Sequence, residues 1–138
     1  MGSWVYDPHS GGVKIPERVK ARTKQRILAY AEKHNGGKYN RIDVRFRNYF
    51  CYIDIYIEPS VPEKFDEELF GCTREERIEY LRTVPFHLCR LRYKGDEEKW
   101  VMAFYTYSHN KYEPSVFDNG TFFGTPEEGF ETSAVYLQ

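Results

Sequence analysis

The chain has 138 residues, 41% of them hydrophobic and 30% charged, with a net charge of −1. That length and mixture suit one globular domain able to bury a core, and exclude a disordered segment. No stretch approaches the roughly 20 apolar residues of a spanning helix, and Met1 to Gly12 carries no basic-then-apolar leader, so neither a membrane partner nor secretion is expected.

Cys51, Cys72 and Cys89 are odd in number and lack CxxC spacing. This argues against a disulfide framework and against a zinc or other metal site, and fits reduced thiols in a cytoplasm. Aromatic residues make up 17%, including 12 Tyr and 10 Phe. Tyrosine buries a ring while its hydroxyl stays wet, which suits half-exposed sheet faces and binding surfaces. The small net charge hides a division. Between Lys14 and Arg47 eleven basic residues face only Glu17, Glu32 and Asp43, a net of +8, which leaves −9 for the rest of the −1 chain. Such asymmetry admits an anionic partner; the simpler expectation is that the two parts pack together and neutralise each other.

In chain order, Trp4 to Val13 reads as an extended arm with a Gly-rich turn. Gly11, Gly12 and Lys14 lack the phosphate-loop spacing, and no cofactor is expected. Pro16 suits a first helical position, and Val19, Thr23, Ile27, Tyr30, Ala31 and His34 follow at helical spacing until Asn35-Gly36-Gly37 ends the run. Arg41 to Arg47 alternates, with Ile42, Val44 and Phe46 against Arg41, Asp43, Arg45 and Arg47. Tyr49 to Glu58 continues, with Cys51, Ile53, Ile55 and Ile57 against Tyr52, Asp54, Tyr56 and Glu58. The two segments form a hairpin in an even register. Like charges directly opposite destabilise a sheet, so pairing Asp54 with Arg45 or Arg41 is favoured over Asp54 with Asp43, unless a ligand compensates.

Pro59 to Gly71 is an acidic loop with at most a helical turn. Thr73 to Glu76 is a capping box opening a short helix with Ile78, Leu81 and Val84 on its stripe, stopped by Pro85. Leu88 to Lys94 and Trp100 to Tyr107 make a second hairpin. There Cys89, Leu91, Tyr93, Trp100, Met102 and Phe104 share the apolar side, and Arg90, Arg92, Val101, Ala103, Tyr105 and Tyr107 the other. The same parity assigns His87 to the core. Ser108 to Pro114 reads as a polar connection, and Val116-Phe117 and Phe122-Phe123 as strands flanking the Asp118-Asn119-Gly120 turn. Thr125 to Glu128 is a second capping box, with Pro126 at the first helical position of a helix carrying Phe130, Ala134 and Leu137. The expectation is one α+β domain over residues 1–138, an antiparallel sheet of hairpins with helices on its apolar face, in the order α-β-β-α-β-β-β-β-α.

Four runs, Cys51-Tyr52-Ile53-Asp54, His87 to Tyr93, Phe104 to His109 and Gly124 to Glu128, resemble a family of small uncharacterised bacterial proteins over most of the chain. That resemblance carries no activity or site residue with it.

The polar face is the main candidate for function. It gathers Arg41, Asp43, Arg45, Tyr52, Asp54, Tyr56, Arg90, Arg92, Tyr105 and Tyr107 if the two hairpins share one sheet. Guanidinium forks bind phosphate or carboxylate oxygens, and tyrosine rings offer stacking surfaces, so a nucleotide or single-stranded nucleic acid is the expected partner class. The competing expectation is a solvated face with Arg–Asp and Tyr–Arg ladders. A hydrolase or transferase is the alternative function, with Asp54 or Glu113 orienting His109 as acid or base. A third is a protein–protein adaptor or self-associating subunit. Cys51 and Cys89 read as core fillers, and Cys72 sits before a helix start, where a thiolate is favoured.

Overall fold

The computed structural model describes residues 10–134. Trp4 to His9 of the expected arm, and Leu137 of the last helix, lie outside the described residues. Helix α1 spans Glu17–Asn35, strand β1 Arg41–Arg47, β2 Phe50–Tyr56, the single-turn helix α2 Glu67–Phe70, α3 Arg74–Arg82, β3 Phe86–Tyr93, β4 Trp100–Thr106, β5 Lys111–Ser115, β6 Phe123–Gly124 and α4 Pro126–Ser133. The six strands form one antiparallel sheet in the order β1-β2-β3-β4-β5, with β6 also paired to β4. This is the expected α+β fold, and both hairpins belong to one continuous sheet.

The core lies between the apolar sheet face and helices α1 and α4. Val19, Ile27 and Ala31 of α1 and Phe130 of α4 are buried with Ile53, Leu91, Trp100 and Met102. Gly129 lets α4 approach the sheet closely: a Cβ there would sit 2.7 Å from Leu91 Cδ2. Both capping boxes form, Thr73 with Glu76 and Thr125 with Glu128, each satisfying two otherwise orphaned donors. The thiols of Cys51 and Cys89 are fully buried, and burial pushes both up, Cys89 to about 12.

Part of the charge asymmetry is consumed inside the molecule. Arg22 of α1 donates to Glu97 at 2.9 and 2.7 Å. Arg26 donates to Glu98 at 2.8 and 2.9 Å and to Glu127 at 2.8 Å. This network ties α1 to the β3–β4 turn and to the first turn of α4. Replacing Arg26 by alanine is expected to cost about 1–2 kcal/mol in urea denaturation, because Glu98 and the part-buried Glu127 lose a shared partner.

Two expectations about hairpin register and strand extent need correction. The β1–β2 register places Asp43 directly opposite Asp54, not Asp54 opposite an arginine. The turn decides this: Arg47 pairs with Phe50, leaving only Asn48 and Tyr49 to reverse the chain, and Asn48 adopts φ 57°. The repulsion is relieved on the same face, where Arg41 bonds Asp43 and Arg45 bonds Asp54, each at 2.8 Å. Arg41 holds the Asp43 carboxyl below its ordinary range. Second, the expected polar connection contains a strand, β5, whereas Val116-Phe117 lies outside any strand. Strand β4 pairs with β5 along Met102 to Thr106, and β6 takes the remaining edge at Trp100 and Val101. Phe117 instead turns inward and is buried.

Candidate functional site

Strand pairing carries the parity of the first hairpin across the sheet. Tyr52 lies opposite Arg45 and Arg90, Arg90 opposite Ala103, and Phe50 opposite Arg92. Arg41, Asp43, Arg45, Tyr52, Asp54, Tyr56, Arg90, Arg92 and Tyr105 therefore share the face opposite α1 and α4, with Tyr107 just past the end of β4 stacked edge-on against Tyr105. Phe50 and Tyr112 join them. Tyr112 is set there by its pairing with Tyr105 across β4–β5, and its ring meets both Tyr52 at 5.5 Å and Tyr105 at 5.1 Å.

The arginines of this face fall into two groups. Arg41 and Arg45 are committed to Asp43 and Asp54 and lie over Tyr56 and Tyr52, at 4.5 and 5.1 Å from the ring centroids. Arg90 and Arg92 have no carboxylate partner among the described residues. Arg90 sits 4.2 Å from the Phe50 centroid and 5.2 Å from that of Tyr112. Arg92 lies 4.7 Å from Phe50 and 5.3 Å from Tyr49, and donates to the Gly11 carbonyl. Cation–π contact of this kind orients a guanidinium while leaving its in-plane donors for an anion. Burial lowers the Arg90 guanidinium from its usual value, with Tyr52 opposing and Arg92 adding to the effect; an arginine stays charged regardless.

A β-bulge lies at the centre of the face. Ile53 pairs with Cys89 and Asp54 with His87, so Leu88 is the extra residue, and it is buried. The bulge reverses the parity of His87, which is not in the core as strict alternation requires but on the Arg/Tyr face beside Asp54. Bulges commonly re-aim a side chain in this way. The Asp54 side chain is only 4% exposed, accepts from Arg45, and meets His87 Nδ1 at 2.8 Å. An ionised carboxylate can only accept, so Nδ1 carries the hydrogen and Nε2 is left as the basic atom. The His87 ring packs 4.7 Å from Tyr105, 6.3 Å from Tyr107 and 6.4 Å from Tyr112. Its backbone N–H donates to the Tyr107 hydroxyl at 3.0 Å. Burial, and then the Asp54 charge, raise the Tyr112 phenol above its ordinary value, which keeps it protonated.

The structure does not bring Asp54 together with His109 and Glu113. His109 Nδ1 bonds Glu113, and that bond holds the Glu113 carboxyl below its usual range. Glu113 pairs with Phe104, however, and so belongs to the opposite parity from Asp54. Cys72 is half-buried. Among the described residues no group of three potential ligands could hold a metal ion, and no helix is long and apolar enough to cross a membrane. No family model, curated protein or solved structure matches the chain.

Sequence reasoning missed His87, Phe50 and Tyr112. A signal for His87 existed: strict alternation places Leu88 among the arginines and the histidine among the apolar residues, two faults that one extra residue removes together.

Proposed function

We propose that the Arg/Tyr face is a binding site for a phosphate-bearing ligand with a flat ring, and that single-stranded nucleic acid is the ligand class it fits. The observation that carries this reading is the pair Arg90 and Arg92, two guanidiniums stacked on Phe50 with no carboxylate partner among the described residues. Holding two like charges side by side is unfavourable in the absence of an anion, and a phosphate oxygen is the partner that matches their donor forks. Tyr112 meets Arg90, and the rings of Tyr52 and Tyr105 pack on Tyr112, so the arginines border a cluster of aromatic surfaces; base stacking on such rings contributes about 1–3 kcal/mol per base in proteins that use it. Base stacking tolerates sequence, so the reading implies weak sequence preference, and the two phosphate contacts add a modest salt dependence.

Fluorescence anisotropy with a labelled single-stranded oligonucleotide tests it. Two phosphate contacts give a slope of about −1.4 when log affinity is plotted against log salt concentration. Absence of binding at low salt, or binding without a salt slope, would overturn the reading.

A further inference from the structure

The same face holds a group that simple binding does not need. His87 is placed by a bulge, its Nδ1 is fixed by a buried carboxylate, and that carboxylate is itself held by Arg45. No described residue occupies Nε2, and the ring is 30% exposed. A histidine with one nitrogen tied to a carboxylate is an oriented proton acceptor with its tautomer set. Tyr112 neighbours both this ring and the Arg90 guanidinium, 6.4 Å from one and 5.2 Å from the other, so base and cation share one aromatic neighbour.

We propose that His87, positioned by Asp54, is a general base that cleaves single-stranded RNA bound on this face. The proposal rests on the binding reading above and adds a reaction to it. RNA is the substrate class because it brings its own nucleophile next to each phosphorus, so a base and a cation are the groups the protein must add. Nε2 takes the proton of a ribose 2′-hydroxyl, O2′ bonds to phosphorus, and the P–O5′ bond breaks. The departing O5′ takes a proton from water, and His87 returns its proton to the hydroxide so formed. The products are a 2′,3′-cyclic phosphate and a 5′-hydroxyl. Arg90 meets the charge that builds on the phosphoryl oxygens. Asp54 does not touch the substrate and is a positioning residue.

The test uses the full chain with a short labelled RNA and a DNA of the same base order, following binding by anisotropy and cleavage by gel. The wild type is expected to bind both and to cut only the RNA, leaving cyclic phosphate ends. His87→Ala is expected to bind RNA within about threefold of wild type and to lose at least about 100-fold in cleavage rate. Its circular dichroism spectrum would match that of the wild type. The side chains that meet His87 are Asp54 from β2, Tyr105 from β4, Tyr107 beyond it and Tyr112 from β5. Asp54→Asn is expected to lower the kcat of cleavage while leaving KM and binding close to wild type, a split that a purely structural aspartate would not give. RNA that is bound but stays intact from about pH 5 to about pH 9 would overturn the catalytic proposal and leave the binding reading standing. Cleavage undiminished in His87→Ala would also overturn it. Failure to bind either polymer would remove both.

Discussion

Changing Arg90 and Arg92 together to glutamine is expected to weaken binding of a single-stranded oligonucleotide by about 30- to 200-fold at low salt, from about 1–1.5 kcal/mol at each lost charge-assisted contact. Glutamine keeps part of the stem that packs on Phe50 and Tyr112, so the loss is one of charge more than of packing. Loss of two phosphate contacts removes about 1.4 from the log–log salt slope. The slope separates this explanation from a folding defect, which would lower the active fraction at every salt concentration alike. The matched change at the other end of the face, Arg41→Gln, removes a guanidinium already committed to Asp43 and should alter binding far less. Equal losses from both variants would mean that general surface charge, and not the Arg90–Arg92 pair, holds the ligand.

Trp100→Ala is expected to be the most damaging single change to the fold, costing about 3–5 kcal/mol in urea denaturation. The side chain is fully buried, its ring lies 5.0 Å from Tyr93, and its Nε1 donates to the Glu97 carbonyl at 2.9 Å. Truncation leaves a ring-sized void and removes the closer of the two donors to that carbonyl, the other being Arg26 Nη1 at 3.4 Å. Glu97 also receives Arg22, so the indole helps to set the turn to which α1 is clamped. A domain of this kind has about 5–15 kcal/mol to lose, so the variant should melt well below the wild type. Trp100→Phe fills most of the volume and should lose clearly less. A cost below about 1 kcal/mol for alanine would show that the core does not depend on this ring.

The fold was legible wherever one local rule acted alone. The alternation of Arg41 to Arg47 and of Cys51 to Ile57 places Ile42, Val44, Ile53 and Ile55 in the core, as the structure has them. The two Thr-x-x-Glu boxes mark the starts of α3 and α4 to the residue. What was not legible depended on competition between rules. Repulsion between Asp43 and Asp54 argued for a shifted register, but the short turn at Asn48 fixed the pairing and the neighbouring arginines absorbed the charge. Lys111 to Ser115 carries polar residues and a proline, so nothing local marks it as a strand; it becomes one because β4 offers it an unpaired edge. The centre of the candidate site needed both effects at once. His87 required the bulge, and Tyr112 required the unforeseen strand. Asp54 was found by parity, but its partner was assigned to His109, whose nearness in the polar loop said nothing about which side of the sheet it would serve.

The two outer strands carry a further consequence. β1 and β5 are rims of the sheet, where backbone donors and acceptors have no neighbouring strand to meet among the described residues. β1 sets Arg41, Arg45 and Arg47 along its exposed side, and β5 is only five residues long with Pro114, which has no N–H to offer. A second molecule approaching β1 edge to edge would meet a row of guanidiniums, and one approaching β5 would find a gap in the ladder it was trying to extend. Both features disfavour the pairing of one copy's sheet edge with another's.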